Sequence, residues 1–415
     1  MFQFFAGFVA FGARFFLGVG SGMSFLVFTF IVSVYVYANT WNMTLIPALN
    51  MLGHRVLFVI CSLSTSAGAL AFSIVFVLIV SPVSFSWMMG QTIAMLIMAV
   101  VALIILKRKI DENLNNFSKW FYFLDKNNLR DLIFFAGPLA GATLFMWVQI
   151  QSYRILVERL VGADFLGFLA IGLGIAASLA AVVESLIQQI YLPGFYKKIS
   201  KGSFEEKRVA FVELIEKTIP IYIILLFFTV SLAHHFTVVL VDIKFRSVAY
   251  FVSFGAVIEF LRASTNIFSV SAHSEMRTKV LIKPYLFGGV VTFIAVYYAC
   301  GSIHRESLIP IAMIAGGFIT FAGMKRMASQ LYPVAANYRI MFKTTLISSI
   351  FLVFLLLDNG QDSLIFSLGI LALAGVCFIA LSYITTFYFS KSSSLSVFLK
   401  KIKESCTKSY KTGKN

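Results

Sequence analysis

The chain has 415 residues, of which 59% are apolar and 13% charged, and its formal net charge is +16. Soluble domains carry about 25% charged residues, so this composition excludes an ordinary water-soluble fold. A basic excess would suggest a nucleic-acid partner in a soluble protein. Beside apolar runs of about twenty residues it instead indicates loops that face anionic lipid headgroups, with no nucleic acid involved.

Apolar segments of roughly twenty residues, long enough to cross a bilayer as helices, recur down the chain. Residues 1–12 form a further apolar fragment, too short to cross alone. The pattern predicts an all-α fold, a polytopic transmembrane helical bundle with about eleven full spans plus this fragment. The predicted spans lie near 15–38, 56–80, 85–106, 132–150, 165–190, 218–233, 247–270, 280–300, 307–325, 341–357 and 363–389.

The distribution of Lys and Arg predicts the orientation of these spans, because cytoplasmic loops carry the basic excess. With the 107–130 loop placed in the cytoplasm, the inner segments hold 25 of the 34 basic residues and the outer segments hold six. The C-terminus is then cytoplasmic. The basic tail from residue 391 is expected to lie near anionic lipid.

The longest polar stretch divides the chain into two lobes that are expected to be pseudo-symmetric. An offset of 224 residues aligns Asn42 with Asn266, and both sequences then enter a new apolar span. Both spans run in the same direction, so we interpret the match as a parallel repeat. The expected divisions are a first lobe 1–108, a cytoplasmic linker 109–131, a second lobe 132–335, an additional helix pair 336–390 and a basic tail 391–415.

At this offset, residues 132–200 have no counterpart in the first lobe. The first lobe is therefore expected to lack its opening helices. Two interpretations stay open: a reduced lobe, or a true start further upstream.

Sequence signatures of enzymes and metal sites are not found. The chain has no GxxxxGK[ST], GxSxG or HExxH motif, and its four cysteines are far apart in sequence. We therefore expect no catalytic residues, no enzyme activity, no bound metal and no cofactor. An integral polysaccharide polymerase would usually need a larger polar loop, and the longest here is about 25 residues.

A few polar side chains fall within the apolar spans, where a charge costs about 2.5–3.5 kcal/mol on insertion scales. Such groups need a partner or a hydrated cavity, and they are our candidates for binding a substrate. The candidates are Arg262, Glu259, Asn266, Glu184, Gln188, Gln149, Arg154 and Asn42. Structural alternatives stay open: Glu259 with Arg262 as an intramembrane pair, Glu184 as a helix-packing partner, and Arg154 with Glu158 as a headgroup-level salt bridge.

Two stretches carry a resemblance to a known family. The first is DLIFFAGPLAGATLFMWVQIQSYRIL, followed by a turn containing Gly162, Ala163, Asp164 and Gly167 and by a long helix ending at a proline. The second is VDIKFRSVAYFVSFGAVIEFLRASTNIFSVSAHSEMRTKVLI. The second lobe thus resembles the Wzx-type polysaccharide flippases of the multidrug/oligosaccharidyl-lipid/polysaccharide exporter superfamily. The departure from that pattern is the first lobe, which lacks the opening helices.

The resemblance implies a multi-pass protein of the bacterial inner membrane that moves undecaprenyl-diphosphate-linked oligosaccharide units for O-antigen or lipopolysaccharide biosynthesis. Its implied partners are membrane lipid, the lipid-linked oligosaccharide and other membrane proteins of polysaccharide assembly. The implied mechanism is alternating access, and coupling to H⁺ or Na⁺ is left open. Two alternatives remain: a multidrug or small-solute antiporter of the same superfamily, or an integral membrane polysaccharide polymerase.

Overall fold

The computed structural model describes residues 25–80, 84–109, 126–200, 202–333, 338–356 and 363–386. Across these residues the chain forms helices joined by short turns, and the described part contains no β-strand. The predicted all-α class is therefore confirmed. The fragment 1–12, most of the linker 109–131 and the tail 391–415 lie outside the described residues.

The described residues belong to two compact units, Met1–Leu124 and Asp125–Asn415. The first unit contains α1 (Phe25–Met51), α2 (Arg55–Ile79) and α3 (Ser84–Lys109). The α-helices of the second unit are α4 (Lys126–Leu160), α5 (Ala163–Ile190), α6 (Leu192–Ile199), α7 (Phe204–Ser231), α8 (Ala233–Leu240), α9 (Ala249–Ser274), α10 (Ile282–Cys300), α11 (Arg305–Leu331), α12 (Tyr338–Ser348), α13 (Val353–Leu356) and α14 (Leu364–Ile384).

Eight helical segments in the described part of the chain are long and apolar enough to cross a membrane, or nine if a bent pair is counted as one span. The bent pair is α7 with α8, which meet at 67°. These nine correspond to nine of the eleven predicted spans and make the chain a multi-pass membrane protein. The expected span 341–357 overlaps a continuous helical run over residues 338–356, which consists of α12, a 3₁₀ segment over Ser349–Leu352 and the short α13, and it is not among the nine.

Several helices extend beyond the predicted apolar spans because their polar ends also form helix. The predicted span 15–38 overlaps α1, which continues to Met51 and so places Asn42 and Pro47 inside a helix. With 35 residues, α4 is about 50 Å long, against about 30 Å for the hydrocarbon core. The start of α7 is set by a capping box, in which the Ser203 N–H donates to Glu206 Oε2 at 2.8 Å and Ser203 Oγ accepts from the Glu206 N–H.

The predicted glycine-containing turn is present between α4 and α5. Gly162 has a φ of +121°, which favours glycine because it lacks a Cβ, and α5 begins at the next residue. Asp164 lies in the first turn of α5, where its negative charge stabilises the positive end of the helix dipole.

The two segments of the proposed repeat have similar local structure. Each has a long helix, α1 or α9, that ends at a tight turn containing a residue of positive φ, Gly53 or Met276. A new helical segment follows within a few residues in both cases. The amides of the aligned residues both reach a second helix, since Asn42 donates to the Met95 carbonyl of α3 and Asn266 donates to Glu184 of α5.

The second unit is built around α9, which packs against α5, α7 and α11. Its close approach to α5 depends on a small residue, because a Cβ at Gly172 would lie 2.5 Å from Phe251 Cβ and 2.9 Å from the Val248 carbonyl oxygen. By contrast, a Cβ at Gly174, two residues further along the same helix, would meet nothing within 4 Å. The packing of α5 against α9 brings together the polar side chains of both helices.

These two glycines give a matched test of the α5–α9 contact. Gly172→Ala should lower the free energy of unfolding by about 1–3 kcal/mol, because the added methyl group overpacks the interface. The control Gly174→Ala should be neutral or stabilising by up to about 1 kcal/mol, since alanine favours helix. Thermal unfolding of the detergent-purified proteins measures both, and equal effects of the two substitutions would contradict the assigned packing.

Candidate functional site

Four polar side chains from α5 and α9 form one hydrogen-bonded group, called here the buried charge cluster: Glu184, Glu259, Arg262 and Asn266. Arg262 Nε donates to Glu259 Oε2 at 2.7 Å, and its Nη2 donates to Glu184 Oε2 at 2.8 Å. Asn266 Nδ2 donates to Glu184 Oε1 at 2.7 Å. Two of these three short hydrogen bonds link α9 to α5 through Glu184, the third lies within α9, and both bonds of Arg262 are ion pairs.

The spacing of these residues explains why they meet. Glu259, Arg262 and Asn266 are separated by three and four residues, so they lie along one face of α9. Glu184 is presented by α5, which packs directly against that face. Glu259 and Arg262 are also close to the midpoint of α9, as far as the helix allows from its two ends.

The cluster is largely removed from solvent. The side chains of Glu184 and Glu259 are each 12% exposed, and that of Arg262 is 24% exposed. When all three are ionised, two carboxylates share one guanidinium, so the cluster carries one excess negative charge. Isolated charge is costly in an apolar environment, so uptake of one proton or one monovalent cation would lower the free energy of the cluster.

A cavity of about 40 Å³ borders Glu259, Arg262 and Asn266. It has room for about two or three water molecules, so in this conformation it admits water or a small ion but not a sugar unit. Glu259 also borders a second cavity of about 10 Å³ on its other side. Glu259 is therefore the carboxylate with space on two sides, and Arg262 engages only its Oε2.

Aromatic hydroxyl groups surround the cluster. The phenols of Tyr222 on α7 and Tyr285 on α10 lie within electrostatic reach of both Glu184 and Arg262. Tyr153 on α4 lies within reach of Glu259. These tyrosines were not predicted, because a tyrosine in an apolar helix is usually a packing residue, and neither spacing nor charge distinguishes these three.

The remaining sequence candidates have different surroundings. Gln149 belongs to the site, since it borders the 40 Å³ cavity and its Oε1 accepts a 2.9 Å hydrogen bond from Thr320 Oγ1. Gln188 is exposed one turn beyond Glu184. Asn42 lies in the first unit, where it is buried and donates to the carbonyls of Ala38 and Met95.

Arg154 is exposed on α4. Its guanidinium carbon lies 5.8 Å from the centroid of the Tyr153 ring. Within the described part of the chain no ion pair joins Arg154 to Glu158, so the headgroup-level salt bridge considered for them is not formed in this structure. Arg154 makes no contact with the buried charge cluster, which gives it value as a control position.

A second polar group, which was not predicted from the sequence, links α7, α9 and α11 near their ends. Glu275 Oε1 accepts a hydrogen bond from the Tyr332 hydroxyl and a 2.9 Å hydrogen bond from Lys207 Nζ. These two donors hold the pKa of Glu275 below its usual range. Burial and the bond to Glu275 raise the pKa of Tyr332 to about 12, which keeps its hydroxyl protonated and able to donate.

Among the described residues, no group of three or more His, Cys, Asp and Glu side chains is arranged to hold a metal ion. No family model matches the chain, and comparison with curated proteins and with solved structures likewise gives no significant match. The chemistry of the site therefore has to be argued from the geometry of these side chains.

The charge balance of the cluster can be tested by a double-mutant cycle. Arg262→Met should cost about 3–5 kcal/mol of stability, because it leaves two buried carboxylates without their cation. In a Glu184→Gln/Glu259→Gln background the same substitution should cost far less. The control Arg154→Met, at an exposed position, should change stability by no more than about 0.5 kcal/mol. Unfolding in mixed detergent micelles measures each value, and an equal cost of Arg262→Met in both backgrounds would rule out the charge argument.

The Glu275 group predicts a pH-dependent contribution to stability. Because the pKa of Glu275 is lowered on folding, its contribution is fully present above the unfolded pKa of about 4.3 and is lost as pH falls through the lower folded value. Lys207→Gln should therefore lower the melting temperature at pH 7 but progressively less below pH ~4. The control is Lys279→Gln, at an exposed position, which should leave the melting temperature unchanged. If Lys207→Gln lowers the melting temperature equally at every pH, the bond between Lys207 and Glu275 is not what stabilises the fold.

Proposed function

We propose that the chain is a transporter of the bacterial inner membrane that moves undecaprenyl-diphosphate-linked oligosaccharide units toward the periplasmic leaflet, with its C-terminus in the cytoplasm. The observation that carries a transport function is the buried charge cluster, since ionisable side chains inside apolar spans are costly and mark ion or substrate pathways. The lipid-linked oligosaccharide as substrate rests on the resemblance of the second lobe to Wzx-type flippases.

Within this proposal, the cluster serves as the coupling site. Arg262 already pairs with two carboxylates, so its positive charge is more than balanced and the small adjacent cavity does not favour a diphosphate in this conformation. The adjacent 40 Å³ cavity admits a small ion or water, and the excess negative charge favours a proton or Na⁺. Binding of that ion would weaken the hold of Arg262 on the two helices and permit α5 and α9 to move as access alternates.

A second candidate function is a small-solute antiporter of the same superfamily. The same observation favours it, because a coupling site that accepts one small ion is equally suited to an exchanger. The two candidates differ in their dependence on glycan synthesis. An antiporter would protect cells from a toxic solute whether or not lipid-linked oligosaccharide is made, whereas a flippase has no substrate without it.

A deletion strain separates these candidates. Loss of the protein should remove surface polysaccharide and cause lipid-linked oligosaccharide to accumulate at the inner leaflet, and the wild-type chain should reverse both effects. Glu184→Gln/Glu259→Gln should fail to reverse them at equal expression, because it removes the ionisable carboxylates, whereas Glu158→Gln, at an exposed position on α4, should succeed. Quantified inner-leaflet lipid-linked oligosaccharide is the measurement.

The outcomes have distinct meanings. If no lipid-linked oligosaccharide accumulates in the deletion strain, the flippase proposal fails and the antiporter becomes the better candidate. If it accumulates and both the wild type and the double Gln variant clear it equally, the flippase proposal stands and the coupling role of the cluster fails.

A further inference from the structure

A groove of about 780 Å³ runs along the second unit between α5, α7 and α14. Its volume lies within the range of about 300–1,000 Å³ that is typical of ligand sites. Most of its wall is apolar and includes Val183, Leu186, Ile190, Ile221, Phe378 and Ile379. The groove is separate from the buried charge cluster, none of whose four residues lines it.

The apolar wall opens toward the membrane hydrocarbon. Leu186 is 51% exposed, Ile190 64% and Ile379 69%, although all three lie on helices apolar enough to span a bilayer. A groove of this kind in a bilayer has hydrocarbon chains as its immediate surroundings. Acyl chains therefore match the wall in polarity and are present at high concentration.

One end of the groove is polar and lies beside a group with a net positive charge. Lys217 and Glu213 lie in the wall there, and Glu213 forms 2.6 Å ion pairs with Lys217 and with the exposed Lys198, which lies outside the wall. Two lysines against one glutamate leave one unbalanced positive charge. At the same end, the buried Ser382 hydroxyl has no hydrogen-bond partner among the described residues, and Thr386 lies one turn further along.

We propose that this groove is a binding site for one anionic phospholipid. The acyl chain lies along α5 and α14, the phosphate contacts Lys217, and the rest of the headgroup lies at the end of the groove lined by Ser382 and Thr386. One net negative charge on the lipid balances the one net positive charge of the Lys198, Glu213 and Lys217 group. A phospholipid fits better than a second protein chain, because the groove joins a hydrocarbon-facing wall directly to a charged and hydroxyl-bearing end.

This inference does not depend on the proposed transport function and would hold equally for an antiporter. It is tested by native mass spectrometry of the full chain in detergent, titrated with dioleoylphosphatidylglycerol or with zwitterionic dioleoylphosphatidylcholine. The first phosphatidylglycerol should bind more tightly than phosphatidylcholine by about fivefold, the effect of one unbalanced lysine on a lipid with one net negative charge.

Two substitutions should shift that preference in opposite directions. Lys217→Gln should abolish it, because the phosphate loses its cation. Glu213→Gln should strengthen phosphatidylglycerol binding, because it frees both lysines from their ion pairs. Misfolding exposes apolar surface to both lipids alike, so an increased preference of Glu213→Gln for phosphatidylglycerol over phosphatidylcholine keeps the test decisive even if other variants are unstable.

A steric pair of variants locates the site. Leu186→Trp should block the first lipid by filling the groove, whereas Val376→Trp should not, since Val376 is 66% exposed on α14 but does not line the groove. Size-exclusion elution confirms that both variants are folded.

Equal affinity of the wild type for the two lipids, or unchanged binding to Leu186→Trp, would overturn the proposal. A dimer mass without bound lipid would also overturn it and would assign the groove to a second copy of the chain. Displacement of phosphatidylglycerol by equimolar undecaprenyl phosphate would assign the groove to a polyprenyl carrier instead.

Discussion

The interaction on which the second unit depends is the guanidinium of Arg262 shared between two carboxylates. It joins α5 to α9 at a depth where each charge alone would be expensive. Because two carboxylates pair with one guanidinium, the contact stabilises the bundle but leaves the cluster with one net negative charge. In the proposed function, this remaining charge is the one that a coupling proton or small cation would balance.

Within the aligned segments of the proposed repeat, the α9 residues of the buried charge cluster are matched only in part. At the offset of 224 residues, Glu259 and Arg262 align with Tyr35 and Ala38, and only the asparagine of the cluster has its counterpart in Asn42. Asn42 bonds to a backbone carbonyl of α3 rather than to a carboxylate. The two repeated segments thus share a helix–turn–helix design, but the ionisable chemistry is confined to one of them.

Sequence reasoning predicted the helical class and much of the cluster, because long apolar runs and rare intramembrane charges are strong signals. The i, i+3, i+7 spacing of Glu259, Arg262 and Asn266 placed them on one face, whereas the partnership with Glu184 depends on helix packing that no spacing encodes. Tyr222, Tyr285 and Thr320 were missed for the same reason. The 3₁₀ segment within the predicted span 341–357 was not predicted either, because apolar composition does not distinguish α-helix from a short 3₁₀ stretch.

The cluster and the groove share two helices, which constrains how the second unit moves. On α5, Glu184 joins the cluster while its neighbours Val183 and Leu186 line the groove. On α7, Tyr222 approaches the cluster while the adjacent Ile221 lines the groove. A tilt or rotation of either helix therefore alters both places at once. If both proposed sites are occupied and an ion at the cluster changes lipid affinity in the groove through these helices, thermodynamic linkage requires that bound lipid change ion affinity by the same factor.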